Sequence, residues 1–318
     1  MTIAYLFPGQ GAQFVGMGRE LHDARPEARA VFDEASAALG YDAAGLCFEG
    51  PDERLNSTEF TQPMLLTVCI AAHEAWRAAR PDVRAGVMAG LSLGEYAALV
   101  AAGSLSFADA VVLTRLRGRL MQETVPRGVG GMAAIMGLDG EVVERLCAEI
   151  RTDDAWVEPA NYNSPGQLVV SGHLPAVRAL CKAAREAGAA RALPLPVSAP
   201  FHSRLLVPAG ERLAEALDGV EIRDARVPVV SNVHARPLTR ADEIRRALVE
   251  QVSSPVRMEQ SFRWMAEQGV DAWVELGPGQ TMAKLLARVV PDAAATSVGG
   301  VESLAAAARW EALESRAG

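Results

Sequence analysis

The chain has 318 residues, half of them hydrophobic and 22% charged, enough for one large domain or two modest ones with a substantial core. Lys and Arg number 31 against 39 Asp and Glu, a net charge of −8, which argues against nucleic acid or an anionic membrane as partner. Lysine is confined to Lys182 and Lys284, so nearly every cation is an arginine, a permanently charged fork suited to carboxylates and phosphates.

Strand-like and helix-like stretches alternate along the chain, the pattern of an α/β fold. Ile3 to Phe7 is a short apolar strand stopped by Pro8-Gly9. No charged segment precedes it, so no secretory leader is expected and a cytoplasmic location is. Helices are predicted from Glu27 to Leu39, ended by Gly40, and from about Gln62 to Arg80, ended by Pro81. Gly86 to Ala89 reads as a buried strand ending at Gly90. Ser106 and Asp109 open a helix as a capping box that runs to about Glu123. Four strands follow, at Met132 to Met136, Ala155 to Glu158, Gln167 to Ser171 and Arg191 to Leu195. Helices at Gly140 to Ile150 and Pro175 to Ala187 lie between them, with a polar turn at Asn163-Ser164-Pro165-Gly166. That β-α-β-β-α-β order is ferredoxin-like. The predicted fold is therefore α/β, with a large parallel-sheet domain in residues 1–127 and 198–318 and a small inserted subdomain at 128–197. No apolar run approaches the ~18 residues that span a bilayer. Cys47, Cys69, Cys147 and Cys181 form no CxxC pair. They are expected as buried free thiols, and no metal site is expected.

Gly90-Leu91-Ser92-Leu93-Gly94 carries the sharpest chemical signal. It follows a predicted strand and precedes the helical stretch Glu95 to Leu99, the setting of a nucleophile elbow. Glycines there relieve crowding around a strained serine, whose hydroxyl stands at a helix N-terminus beside an amide able to stabilise an oxyanion. Among the five histidines, His22 and His73 lie in helical stretches before the serine, and His173 follows a strand. His202, in a loop returning from the small subdomain, is the first choice of base by chain order, and His234 the second. Asp153 and Asp154 fall inside the subdomain, and no acid clearly completes a triad.

At helical spacing Ala110, Leu113, Leu120 and Met121 share one face with Arg117 in their midst. A buried guanidinium needs an anion. That anion is either an internal Asp or Glu or a substrate carboxylate gripped in bidentate fashion. In the loop from Phe7 to Gln13, Phe14 occupies the place of the last glycine of a dinucleotide fingerprint, so no dinucleotide is expected. The loop is either a plain turn or the source of an N–H for an oxyanion hole beside Ser92.

Several motifs in order resemble the malonyl-CoA:acyl carrier protein transacylase family, which includes acyltransferases of polyketide synthases. They are Phe7-Pro8-Gly9-Gln10-Gly11, the Ser92 elbow with Gly94-Glu95, Arg117-Gly118, Asn161 to Gln167, Pro200-Phe201-His202-Ser203 and Glu275 to Gly279. The resemblance covers nearly the whole chain and implies a hydrolase-like core carrying the ferredoxin-like insertion. It implies that Ser92 attacks the malonyl-CoA thioester, His202 takes its proton, the amides of Gln10 and Leu93 form the oxyanion hole, and Arg117 pairs with the malonyl carboxylate. The acyl group would pass to the phosphopantetheine thiol of an acyl carrier protein for fatty-acid or polyketide synthesis, with coenzyme A entering as substrate and no bound cofactor. The histidine would be oriented by a backbone carbonyl, assigned to Arg257. Asn161 and Asn163 would touch the acyl or pantetheine group. The chain departs from the family pattern at Leu91, where histidine is usual, and at Arg257, where glutamine is common. Leu91 borders the acyl pocket, and Phe201 favours malonyl by filling the space of an α-methyl group. Both resemble free-standing acyltransferases that serve polyketide assembly lines in trans. A monomer is expected. Carrier proteins are typically acidic, so a basic patch is expected at the cleft mouth, from Arg119, Arg191 and Arg204. The scaffold also admits an editing thioester hydrolase, which has no use for Arg117, and a silent docking protein, which has no use for Ser92 and His202.

Overall fold

Along the first strand Ile3, Tyr5 and Phe7 pack into one apolar core while Ala4 and Leu6 pack into another. A strand buried on both faces is the signature of a central parallel strand covered by helices on either side. The computed structural model describes residues 2–197 and 199–310. Ser198, at the predicted junction of the two parts, and residues 311–318 lie outside the described residues.

The strands are β1 (Thr2–Phe7), β2 (Val87–Gly90), β3 (Gly130–Met136), β4 (Val157–Ser164), β5 (Gln167–His173) and β6 (Arg191–Pro194), then β7 (Val229–Val230), β8 (Pro237–Leu238), β9 (Val256–Arg257), β10 (Val270–Leu276) and β11 (Ala294–Val298). They form two sheets. The larger has the order β11-β10-β1-β2-β7-β8 and is parallel except at its β7–β8 edge. The smaller has the order β6-β3-β5-β4-β9. Its first four strands are antiparallel neighbours, with helices Gly140–Ile150 and Leu174–Glu186 closing a separate core on one face. That is the β-α-β-β-α-β arrangement expected from the sequence. Its fifth strand was not expected: β9 comes from far outside the inserted segment and pairs parallel with Asn161 and Tyr162 of β4.

Helix Thr58–Ala79 begins four residues before the sequence signal and is buried along most of its length. Helix Phe107–Glu123 packs beside it. Ser106 caps that second helix by accepting from the Asp109 amide at 3.1 Å, but its hydroxyl donates to the Asp109 carboxylate at 2.6 Å, so the reciprocal half of a capping box is not made. The predicted polar turn is shorter than expected, because β4 runs on through Asn163 and Ser164 and only Pro165-Gly166 turns. Glu275, in one of the family-like motifs, is 1% exposed and accepts from the amides of Met282 and Ala283, fixing the start of helix Thr281–Val289 at the end of β10. All four cysteines are buried and free. No helix among the described residues is long and apolar enough to cross a membrane.

Candidate active site

Strand β2 ends at Gly90 and helix Gly94–Ala101 begins four residues later. Ser92 lies between them at φ 52°, left-handed for a residue with a Cβ. The turn is possible only because its neighbours lack side chains. A Cβ on Gly90 would lie 2.0 Å from the Gly94 carbonyl carbon, and one on Gly94 would lie 2.2 Å from the Phe7 carbonyl oxygen. Asn232 ties the elbow across its mouth. Its Oδ1 accepts from the Ser92 amide at 2.6 Å and its Nδ2 donates to the Gly90 carbonyl at 2.7 Å.

His202 reaches Ser92 from the returning loop, with Nε2 2.7 Å from Oγ. Its Nδ1 lies 2.8 Å from the main-chain carbonyl of Gln251. A carbonyl only accepts, so the proton sits on Nδ1 and Nε2 keeps the lone pair that a base needs. Burial first, and then the Arg117 charge, push the imidazole pKa from 6.5 to about 3, so the ring is neutral near pH 7.

Arg117 is 1% exposed. Its Nη1 donates to Gln62 Oε1 and its Nη2 to Gln251 Oε1, both at 2.8 Å, and Nη2 also reaches Ser92 Oγ at 3.2 Å. The Tyr96 ring lies 5.5 Å from the guanidinium carbon. Among the described residues no carboxylate forms an ion pair with it. The internal carboxylate whose charge it feels, Glu95, reaches it only through the Gln251 side chain. Burial lowers the guanidinium pKa, and the amide oxygens of Gln62 and Gln251 hold the charge.

A cavity of about 170 Å³ opens over these groups. Leu91, Phe201 and Met121 line it from the large sheet's side, and Met132, Asn161, Asn163 and Val169 line it from the small sheet. Asn163 Oδ1 is buried without a hydrogen-bond partner. Gln10 also lines the cavity. The amides of Gln10 and Leu93 donate to no other described residue. The set provides a hydroxyl, a neutral imidazole and a fixed cation around one space, with an unused N–H on the lining residue Gln10 and another on Leu93, next to Ser92 in the chain, the requirements of acyl transfer through a serine ester.

The acyl transferase domain model matches residues 4–311. Malonyl CoA-acyl carrier protein transacylases from Bacillus subtilis and Escherichia coli K12 are 47% and 46% identical, over 90% and 96% of this chain and 90% and 98% of their own. The chain belongs to the malonyl-CoA:acyl carrier protein transacylase family. The structure of the transacylase from Coxiella burnetii superimposes with a TM-score of 0.95 at 41% identity, covering 97% of each chain. A malonyl-transacylase solved in complex with a type II polyketide acyl-carrier protein superimposes with a TM-score of 0.92 at 43% identity, covering 99% of each.

One family-derived assignment is corrected. The carbonyl that meets His202 belongs to Gln251, not to Arg257. Gln251 is the last residue of helix Ala241–Gln251, where a carbonyl has no partner within its helix and is free to accept from a side chain. Arg257 precedes helix Met258–Glu267, and its carbonyl accepts from Ser261 Oγ at 2.8 Å instead. Its guanidinium lies 5.7 Å from the Tyr162 ring. The second histidine candidate is also elsewhere, since His234 faces Glu250 at 3.2 Å. Of the three arginines expected in a basic patch, Arg204 is engaged, 3.2 Å from Glu158 and stacked 3.4 Å over Trp156. Arg119 and Arg191 are exposed.

Three polar residues of this transacylase site escaped the sequence reading, Gln62, Asn232 and Gln251, and Glu95 entered it only as part of the elbow motif, without a contact or a role. Gln62 offered a faint signal, a lone amide opening the apolar run Pro63 to Leu66. Asn232 and Gln251 meet Glu95 and the elbow only through contacts more than a hundred residues apart.

Proposed function

We propose that this protein moves a malonyl group from malonyl-CoA to the phosphopantetheine thiol of an acyl carrier protein. Ser92 Oγ attacks the thioester carbonyl and gives its proton to His202 Nε2. The amides of Gln10 and Leu93 receive the oxyanion. The carbon–sulfur bond breaks, and the proton on Nε2 passes to the departing thiol, leaving a malonyl ester on Ser92. The carrier's thiol then loses its proton to His202, attacks the ester and regenerates the Ser92 hydroxyl, a ping-pong cycle. Arg117 pairs with the free carboxylate of the malonyl group. Leu91 and Phe201 border the acyl chain, with the Phe201 ring limiting substitution at the α-carbon. Asn161 and Asn163 face the acyl or pantetheine part. Residues 1–127 and 198–318 carry the chemistry, and 128–197 supply the opposite wall of the pocket. Coenzyme A is substrate, and no resident cofactor takes part.

The observation that carries this reading is Arg117: a buried cation that no described carboxylate pairs with directly, one hydrogen bond from the Ser92 hydroxyl. Intact-mass measurement after mixing with malonyl-CoA is expected to show a malonyl adduct that Ser92→Ala lacks. An unmodified wild-type protein refutes the reading. Addition of carrier protein is expected to move the label onto the carrier; release as free malonic acid identifies a hydrolase instead.

A further inference from the structure

The Gly94-Glu95 part of the elbow motif has no role in the chemistry above, yet Glu95 is 3% exposed and lies one residue into the elbow helix. Its Oε2 accepts from Gln251 Nε2 at 2.5 Å and from the Asn232 amide at 3.3 Å. Gln251 in turn touches each working part of the site. Its main-chain carbonyl holds His202, its Oε1 holds Arg117, and its Nε2 donates to the Ser92 carbonyl at 3.0 Å.

A side-chain amide has two ends of opposite polarity, exchanged by a half-turn. Turned the other way, Gln251 would set an NH2 group against Arg117 Nη2, donor against donor, and leave the buried guanidinium with Gln62 as its only amide acceptor. The arginine could then pivot about its Nη1 contact and carry Nη2 away from Ser92. Glu95 opposes that half-turn, because the Asn232 amide donates to the same Oε2 and so keeps an acceptor oxygen facing Gln251, whether the group is a carboxylate, a carboxylic acid or an amide. Burying a carboxylate here is costly, and burial raises the Glu95 pKa to about 7.

We propose that Glu95 is a positioning residue for acyl selectivity, fixing the Gln251 amide so that its Oε1 holds Arg117 in the orientation that receives a substrate carboxylate. This rests on the malonyl-transfer reading. His202 is held by the main chain of Gln251 and not by its amide, while the contact of the amide with the Ser92 carbonyl serves every acyl donor alike and so cancels in a ratio of two substrates.

The test compares initial rates of Ser92 acylation from malonyl-CoA and from acetyl-CoA, read by intact mass, in wild type, Glu95→Leu, Glu95→Gln and Gln251→Met. The malonyl-to-acetyl ratio is expected to fall about tenfold or more in Glu95→Leu and in Gln251→Met, the scale of one lost charge-assisted hydrogen bond. Glu95→Gln, whose carbonyl still accepts from Nε2, is expected to keep the ratio within about threefold. An unchanged ratio in Gln251→Met or in folded Glu95→Leu overturns the proposal, as does a tenfold fall in Glu95→Gln. If Glu95→Leu does not fold, Gln251→Met and Glu95→Gln decide. Wild-type protein that takes no malonyl group refutes the transferase reading and this proposal with it; wild type that loads malonyl while the variants keep its ratio refutes the proposal alone.

Discussion

Ser92 and His202 meet at 2.7 Å, and both hold left-handed backbone angles, φ 52° and 57°. Neither is glycine, and such a conformation costs on the order of 1–3 kcal/mol per residue unless the surroundings impose it. At Ser92 they do so through Gly90, Gly94 and the Asn232 clamp. Of the three described non-glycine residues with a left-handed φ, two are therefore the pair whose relative placement the chemistry depends on, the third being Ala235.

The depressed pKa of His202 has a kinetic consequence. A histidine at its ordinary value of 6.5 would lose about tenfold of its basic form between pH 7.5 and 5.5. His202, near 3, stays neutral across that range, and Glu95 keeps an acceptor oxygen whether protonated or not. Malonyl loading at pH 5.5 is expected within about threefold of its rate at pH 7.5, measured by quenched-flow mass spectrometry. A stability effect follows with a definite sign. Below pH 6.5 the unfolded chain gains a proton on this residue that the native state refuses, so its contribution to stability is lost as pH falls from 6.5 toward 3.

Arg117→Ala is expected to lower malonyl loading about a hundredfold, the loss of roughly 3 kcal/mol from a charge-assisted pair. Acetyl loading should hold or rise. Single-turnover rates with both thioesters check this, and an equal loss in both would contradict the carboxylate clamp.

Phe201→Ala enlarges the cavity beside Ser92. Loading from methylmalonyl-CoA is expected to rise relative to malonyl-CoA by about tenfold, the scale of one accommodated methyl group. Competition between the two thioesters, read as adduct masses on one protein sample, gives the ratio directly.

Gly94→Ala and Gly40→Ala separate crowding from backbone conformation. A Cβ on Gly94 meets the Phe7 carbonyl oxygen, a main-chain atom with little room to yield, whereas a Cβ on Gly40, at φ 73°, meets nothing within 4 Å. Urea denaturation is expected to show a loss of about 3 kcal/mol or more for the first and about 1 kcal/mol for the second.

What the sequence revealed and what it concealed follow from the range of the forces involved. The elbow was legible because Gly90, Ser92 and Gly94 fall within five residues at a strand-to-helix junction, although the atom that forbids a side chain on Gly94 is the distant Phe7 carbonyl oxygen. Arg117 was legible because helical spacing places it among Ala110, Leu113, Leu120 and Met121. The ferredoxin-like order was legible from alternating strands and helices. Strand β9 is two residues long, too short for any period to appear. The partner of His202 is a main-chain carbonyl, which every residue possesses, so no side-chain pattern could single out Gln251 over Arg257. Glu95, Asn232 and Gln251 form one network only after the elbow and the end of helix Ala241–Gln251 are brought together.

Strand β9 also constrains how acyltransferases of this kind can be recombined. A chimaera cut at residues 128 and 197 would move four strands of the small sheet and leave the fifth behind. The incoming β4 edge would then have to pair with a foreign β9 at Asn161, a pocket-lining position, or remain bare, and an open strand edge invites association between chains. Exchange of the small sheet between relatives therefore requires two separate segments, the second carrying Val256 and Arg257, to travel as one unit.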